Sequence, residues 1–227
     1  MPYPFAYGIR IAGLDPAGRG PDRAGMAFLA YSLPPYLTGG TRVPATFGLH
    51  YPLLVAHVLL ASMAMACAVA QLWPAMRRRH PAWHRRTGWV YAATALPAAA
   101  SAIVIGAATP FGPILAVSNV VLGLLWLLFT VEGVIAARQR RFGDHRRQML
   151  RSVTLALSII SNRIWTPVLY VVFDPLRASV FGGNEEKYLW LVAGAGGWLG
   201  WTIPLLLLQM WLRRQSVPAT GRSLSGV

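Results

Sequence analysis

The sequence predicts an all-α membrane protein: a transmembrane bundle of about five helices, with an interfacial N-terminal segment and a cytoplasmic C-terminus. Three observations predict it. The 227 residues are 55% hydrophobic and only 12% charged, with a mean hydropathy of +0.46. The apolar residues come in runs close to the roughly 20 needed to cross a bilayer. The charges gather between the runs: of 21 Lys and Arg, 5 lie between Arg77 and Arg86, 6 between Arg138 and Arg151, and 3 at Arg213, Arg214 and Arg222.

Residues 1–47 read as an N-terminal arm. Pro, Gly and Arg dominate up to Arg23, and no basic stretch leads into an apolar run with a small-residue cleavage site, so no cleaved leader is expected. Ala24 to Leu37 is apolar but interrupted by Pro34-Pro35, which predicts an interfacial or re-entrant segment. The bundle occupies residues 48–212. Its first span runs from His50 to Trp73, followed by the basic loop Arg77-Arg78-Arg79-His80-Pro81. The second runs from Gly88 to Pro110 and ends in the Phe111-Gly112-Pro113 turn. The third, Ile114 to Ala137, leads into a second basic loop with Arg138, Arg140 and Arg141. The fourth runs from Gln148 to Phe173, an acidic loop carries Glu185 and Glu186, and the fifth runs from Tyr188 to Leu212. Residues 213–227 form a polar tail.

Five spans put both Arg loops and the tail on one side, which the positive-inside rule makes cytoplasmic. The expected location is therefore a cytoplasmic (inner) membrane. The net charge of +14 does not then signal nucleic acid. Its partners are the bilayer and the anionic lipid headgroups at the Arg-rich loops. Cys67 lies in an apolar run with no activating base beside it, and reads as a small core residue. Gly196-x-x-x-Gly200 permits close helix contact, within the bundle or at a homodimer seam.

Polar groups inside hydrocarbon need a reason. His57, Asn119, Asn162 and Arg163 are the chief cases. His57 stands 16 residues from Trp73, and Arg163 stands 15 from Gln148. At 1.5 Å per residue both sit roughly 22–24 Å above the cytoplasmic boundary. The shared depth predicts an outward-facing polar pocket with His57 and Arg163 as main contacts and Asn119 and Asn162 as secondary ones. A lipid headgroup or a quinone would suit it. The structural reading makes His57 and Asn119 interhelical hydrogen-bond formers and Arg163 a cation bonded to backbone carbonyls. Glu132 and Arg151 fall at one depth and are expected to form a structural ion pair; as a proton carrier, Glu132 would instead serve a transporter.

His84 and His145 open the second and fourth spans and could hold a b-type haem between them, making the chain an electron-transfer protein. His80 and His84 have the i,i+4 spacing of some metal sites, but Pro81 separates them and no acidic ligand is near, so no metal is expected. No phosphate-binding loop, nucleophile elbow or zincin motif is present, which leans against an enzyme.

His84-Arg85-Arg86 and His145-Arg146-Arg147 lie 61 residues apart and suggest that the two helical hairpins are related units. His57, Arg77-x-Arg79, Pro81, His84-Arg85, Gly88 and Tyr91, with His145-Arg146-x-x-Met149-x-Arg151-Ser152 and Arg163, resemble the bacterial membrane proteins grouped as domain of unknown function 2306. The resemblance covers residues 26–170 and implies a multi-pass membrane protein; it supplies no activity. The sequence departs from that pattern in lacking a full N-terminal span and in carrying Gln148 where an aromatic residue is usual.

Overall fold

A computed structural model describes residues 46–215. The interfacial segment expected over residues 24–37 and most of the polar tail lie outside the described residues. Within them the secondary structure is helical: α1 His50–Leu72, α2 Pro74–Arg79, α3 Pro81–Ala107, α4 Pro113–Arg138, α5 Phe142–Ala156, α6 Ser158–Val172, α7 Asp174–Ser179 and α8 Glu185–Gln215. Four of these (α1, α3, α4 and α8) are long and apolar enough to cross a membrane, and α5 with α6 forms a fifth, broken span.

Proline sets several helix starts. Pro74, Pro81 and Pro113 each stand in the first turn of their helix, where the missing N–H costs nothing. This is why the first basic loop is not irregular: it folds into α2, and α3 begins before the expected apolar boundary. At the end of α4 the Arg141 N–H donates to Ala136 O at 2.9 Å and the Arg140 N–H to Ala137 O at 3.0 Å. That cap needs left-handed backbone, and Arg140 supplies it at φ 58° where glycine is the usual choice.

The fourth span is expected as one helix and is instead two. It breaks at Leu157 (φ −88°, ψ −3°), and the halves meet at a bend of 41°. The Ile160 N–H turns back to Leu157 O at 3.0 Å, a tightened i→i+3 bond in place of the α-helical one.

The helices meet on small residues. In hydrocarbon no hydrophobic force drives apolar faces together, so association rests on close packing and hydrogen bonds. α1 packs on α3 and α3 on α4; α4 packs on α5 and α8; α8 also covers α5 and α6. Ala64 and Ala68 of α1 and Ala95, Ala98 and Ala99 of α3 are buried at their seam, with Cys67 beside them. A Cβ at Gly123 would stand 2.7 Å from Ile103 Cγ1, and one at Gly200 would stand 2.8 Å from Asn162 Cβ. Gly196-x-x-x-Gly200 therefore faces α6 inside the bundle. Gly112, at φ 90°, lies under the Trp190 ring, which a Cβ there would strike at 2.6 Å.

Candidate functional site

A cavity of about 420 Å³ runs from the middle of the bundle to the Phe111 turn, away from the Arg-rich end. His57 of α1, Asn119 of α4, and Asn162 and Arg163 of α6 all line it. Four residues chosen for depth on three separate spans thus share one space. His50, Ser62, Trp126, Ser158 and Trp201 line it too.

The α1 wall is the best defined. His57 Nδ1 lies 2.9 Å from Ala98 O and 3.1 Å from Ser101 Oγ. A carbonyl only accepts, so Nδ1 carries the proton and the lone pair of the neutral ring is on Nε2. His57 is thus an interhelical tie and a cavity residue at once. His50 has the opposite arrangement. The Thr46 backbone N–H donates to its Nδ1 at 3.1 Å, which leaves the proton on Nε2. Thr46 Oγ1 also donates to Ala108 O at 2.9 Å, tying the start of α1 to the end of α3.

Across the cavity Asn162 Oδ1 accepts from Thr166 Oγ1 at 2.9 Å, so its Nδ2 protons are not used in that bond. Asn119 packs against Gly106, where a Cβ would come within 2.6 Å of the Asn119 Cβ. Among the described residues its side-chain amide takes no protein hydrogen bond. Arg163 lines the cavity and remains exposed. The Trp201 indole N–H donates to Ser118 Oγ at 3.0 Å and that of Trp126 to Tyr91 OH at 3.2 Å, so both present ring surface rather than a donor.

Below the cavity lies a buried polar cluster. Tyr91 OH is 2.6 Å from Ser152 Oγ, which is 2.7 Å from Thr130 Oγ1. Thr130 and Ser152 are fully buried and Tyr91 is 1% exposed. The cluster joins α3, α4 and α5 and closes the cavity floor with Trp126.

The expected Glu132–Arg151 ion pair is not found among the described residues; Gln148 stands between them. Its amide donates to Glu132, and its Oε1 accepts from Arg151 Nη1 at 2.8 Å. Arg151 also donates to Gln209 Oε1 of α8 at 3.1 Å. The two side chains are near enough for one Gln148 amide to reach both, with room between them for that third side chain. At the opposite end Arg177 Nη2 donates to Glu185 Oε2 at 2.5 Å, tying α7 to α8, and the carboxylate pushes the guanidinium pKa up.

His84 and His145 lie at the Arg-rich end, apart from the cavity. His145 Nδ1 donates to Gly133 O at 2.8 Å, which leaves Nε2 as a lone pair, as in a metal ligand. His84 Nδ1 is buried with no hydrogen-bond partner among the described residues. A second pocket at that end, about 230 Å³, is lined by Trp73, Met76, Arg79, His80 and Trp83 and by neither ring. No group of three or more His, Cys, Asp or Glu able to hold a metal is found among the described residues.

A family model described as "Predicted membrane protein (DUF2306)" matches residues 54–212. No curated protein and no solved structure matches the chain.

Proposed function

From the premise that the chain belongs to the DUF2306 family of predicted membrane proteins, we propose that it is a non-enzymatic binding protein of the bacterial cytoplasmic membrane. Its cavity takes a small polar or anionic ligand from the non-cytoplasmic side. The observation that carries this reading is the convergence of His57, Asn119, Asn162 and Arg163 on one space. Polar groups are costly in hydrocarbon, and a structural role would be met by bonding each to a neighbouring helix. His57 is bonded so on one nitrogen only, and the Asn119 amide is not bonded so at all among the described residues. The cavity's size lies within the ordinary range of small-molecule sites.

Arg163 supplies the charge and the two amides supply orientation. Native mass spectrometry of the purified protein tests the reading. The wild type should retain a bound small molecule that both Arg163→Leu and Asn119→Leu lose while remaining monodisperse. Retention of the same molecule by both variants would overturn it, as would failure of both to accumulate.

A further inference from the structure

We infer that the ligand is a membrane-dissolved quinol, a hydroxylated ring on an apolar tail, entering sideways between α1 and α6. This rests on the cavity being a binding site, and names what it binds.

The first observation is the gap. α1 packs against α5 near the Arg-rich half but makes at most glancing contact with α6. The 41° bend at Leu157 separates the two cases. Below it the fourth span lies against α1, and above it the span leans onto α8, where Gly196 and Gly200 admit it. His57, Val58, Ser62, Ile159 and Asn162 line the space so opened. The flanking surface is apolar: Leu59 and Met63 of α1 and Ile160 and Ile164 of α6 are 46–61% exposed. A ligand reaching the cavity by this route crosses hydrocarbon, so it carries an apolar tail.

The second observation is the direction of the hydrogen bonds. His57 Nε2 holds a lone pair, has no protein partner among the described residues and is not sealed off. It calls for a hydroxyl or N–H on the ligand. His50, seven residues earlier on the same face and 3% exposed, offers the reverse, an Nε2–H donor. The two stand roughly 10 Å apart along the helix. The Asn162 Nδ2 protons and the Asn119 amide face the same space from α6 and α4. A quinol ring meets this arrangement: one O–H donates to His57, and its oxygens accept from the amides. Trp126 and Trp201, their indole N–H groups already engaged, give flat apolar faces for the ring.

The test uses the full chain in lipid nanodiscs and three probes: a decyl-tailed benzoquinol, its dimethyl ether, and the same quinol without a tail. Tryptophan quenching reports binding. The ether keeps the ring and tail and adds two methyl groups, but it cannot donate, so it should bind about tenfold more weakly. The tail-less quinol should also lose about tenfold. In His57→Phe the quinol and the ether should bind alike.

Equal binding of quinol and ether by the wild type overturns the inference without needing any variant to fold. So does equal binding with and without the tail. If none of the three binds while the purified protein still carries a molecule that Asn119→Leu loses, the quinol assignment falls and the binding site stands. If that molecule is absent as well, both fall.

Discussion

Single side chains in this bundle are held by bonds whose loss has a direct measure. Tyr91 is the clearest. Its hydroxyl meets Ser152 Oγ at 2.6 Å and accepts the Trp126 indole N–H at 3.2 Å, with 1% of the residue exposed. Tyr91→Phe leaves the ring in place but strips the buried indole N–H of its acceptor. A buried donor without a partner costs about 1–3 kcal/mol. Unfolding in mixed micelles should show a loss of that size, and an unchanged midpoint would mean another acceptor takes over. The sequence made the cavity residues legible for the reason it hid this cluster. His57, Asn119, Asn162 and Arg163 contrast with the hydrocarbon-loving residues around them. Tyr91, Thr130 and Ser152 do not, since a tyrosine reads as an interface anchor and a short hydroxyl residue as helix packing. Ser62 and Ser158 escaped notice in the same way. His50 stands seven residues before His57 and so on the same helical face, but its tautomer depends on a bond from Thr46 that no spacing rule predicts.

At the level of helices, boundaries were legible wherever proline or a charge run marked them, and the break at Leu157 was not. Pro167 is the only proline in that span, and it lies ten residues beyond the break. The bend instead accompanies packing against α8, where Gly200 meets Asn162 from 38 residues further on. Gly200 decides that packing. A Cβ there would stand 2.8 Å from Asn162 Cβ and 3.1 Å from its Cα, and a Cα yields only if the helix moves. Gly200→Val should therefore cost about 1–3 kcal/mol as overpacking does. It should also weaken ligand retention, because Asn162 moves with α6. Gly143 provides the contrast. Nothing lies within 4 Å of its Cβ position and its backbone is not left-handed, so Gly143→Ala should stay within about 0.5 kcal/mol of the wild type. Similar losses from the two variants, measured in one detergent, would rule out close packing as the cause.

Across the whole molecule the two hairpins repeat. Gln71 donates to Thr87 Oγ1 at 2.5 Å between α1 and α3; the bond from Gln148 to Glu132 joins α4 and α5, and both pairs are 16 residues apart. Adding 61 to Gln71 and Thr87 gives Glu132 and Gln148. Tyr91 and Ser152, also 61 apart, touch. Equivalent residues meeting in this way mark an axis between two units of like orientation, as in parallel-repeat membrane proteins. Only the His-Arg-Arg echo was legible beforehand, because the other equivalent positions carry different residues doing the same work.

The repeat also decides how the broken span crosses. If α5 and α6 match α3, they traverse the bilayer; a re-entrant loop would return to its own side and leave four crossings. Each piece has 15 residues, or about 22 Å of helix. A bend of 41° keeps the second piece rising, for a total climb of about 39 Å against roughly 30 Å of hydrocarbon. A return would need the chain nearly to reverse. Single cysteines placed in a Cys67→Ser background test this with an impermeant maleimide on intact cells. Arg78→Cys and Gly143→Cys should be protected and Gly182→Cys labelled if the Arg-rich end follows the positive-inside rule. Gly182 sharing the protection of Gly143 would make the bent pair re-entrant. Labelling of Arg78 and Gly143 with protection of Gly182 would reverse the bundle and turn the cavity toward the cytoplasm. The reversed result would change which leaflet a ligand passing between α1 and α6 must come from, while leaving the hydrogen-bond directions of His50 and His57 as they are.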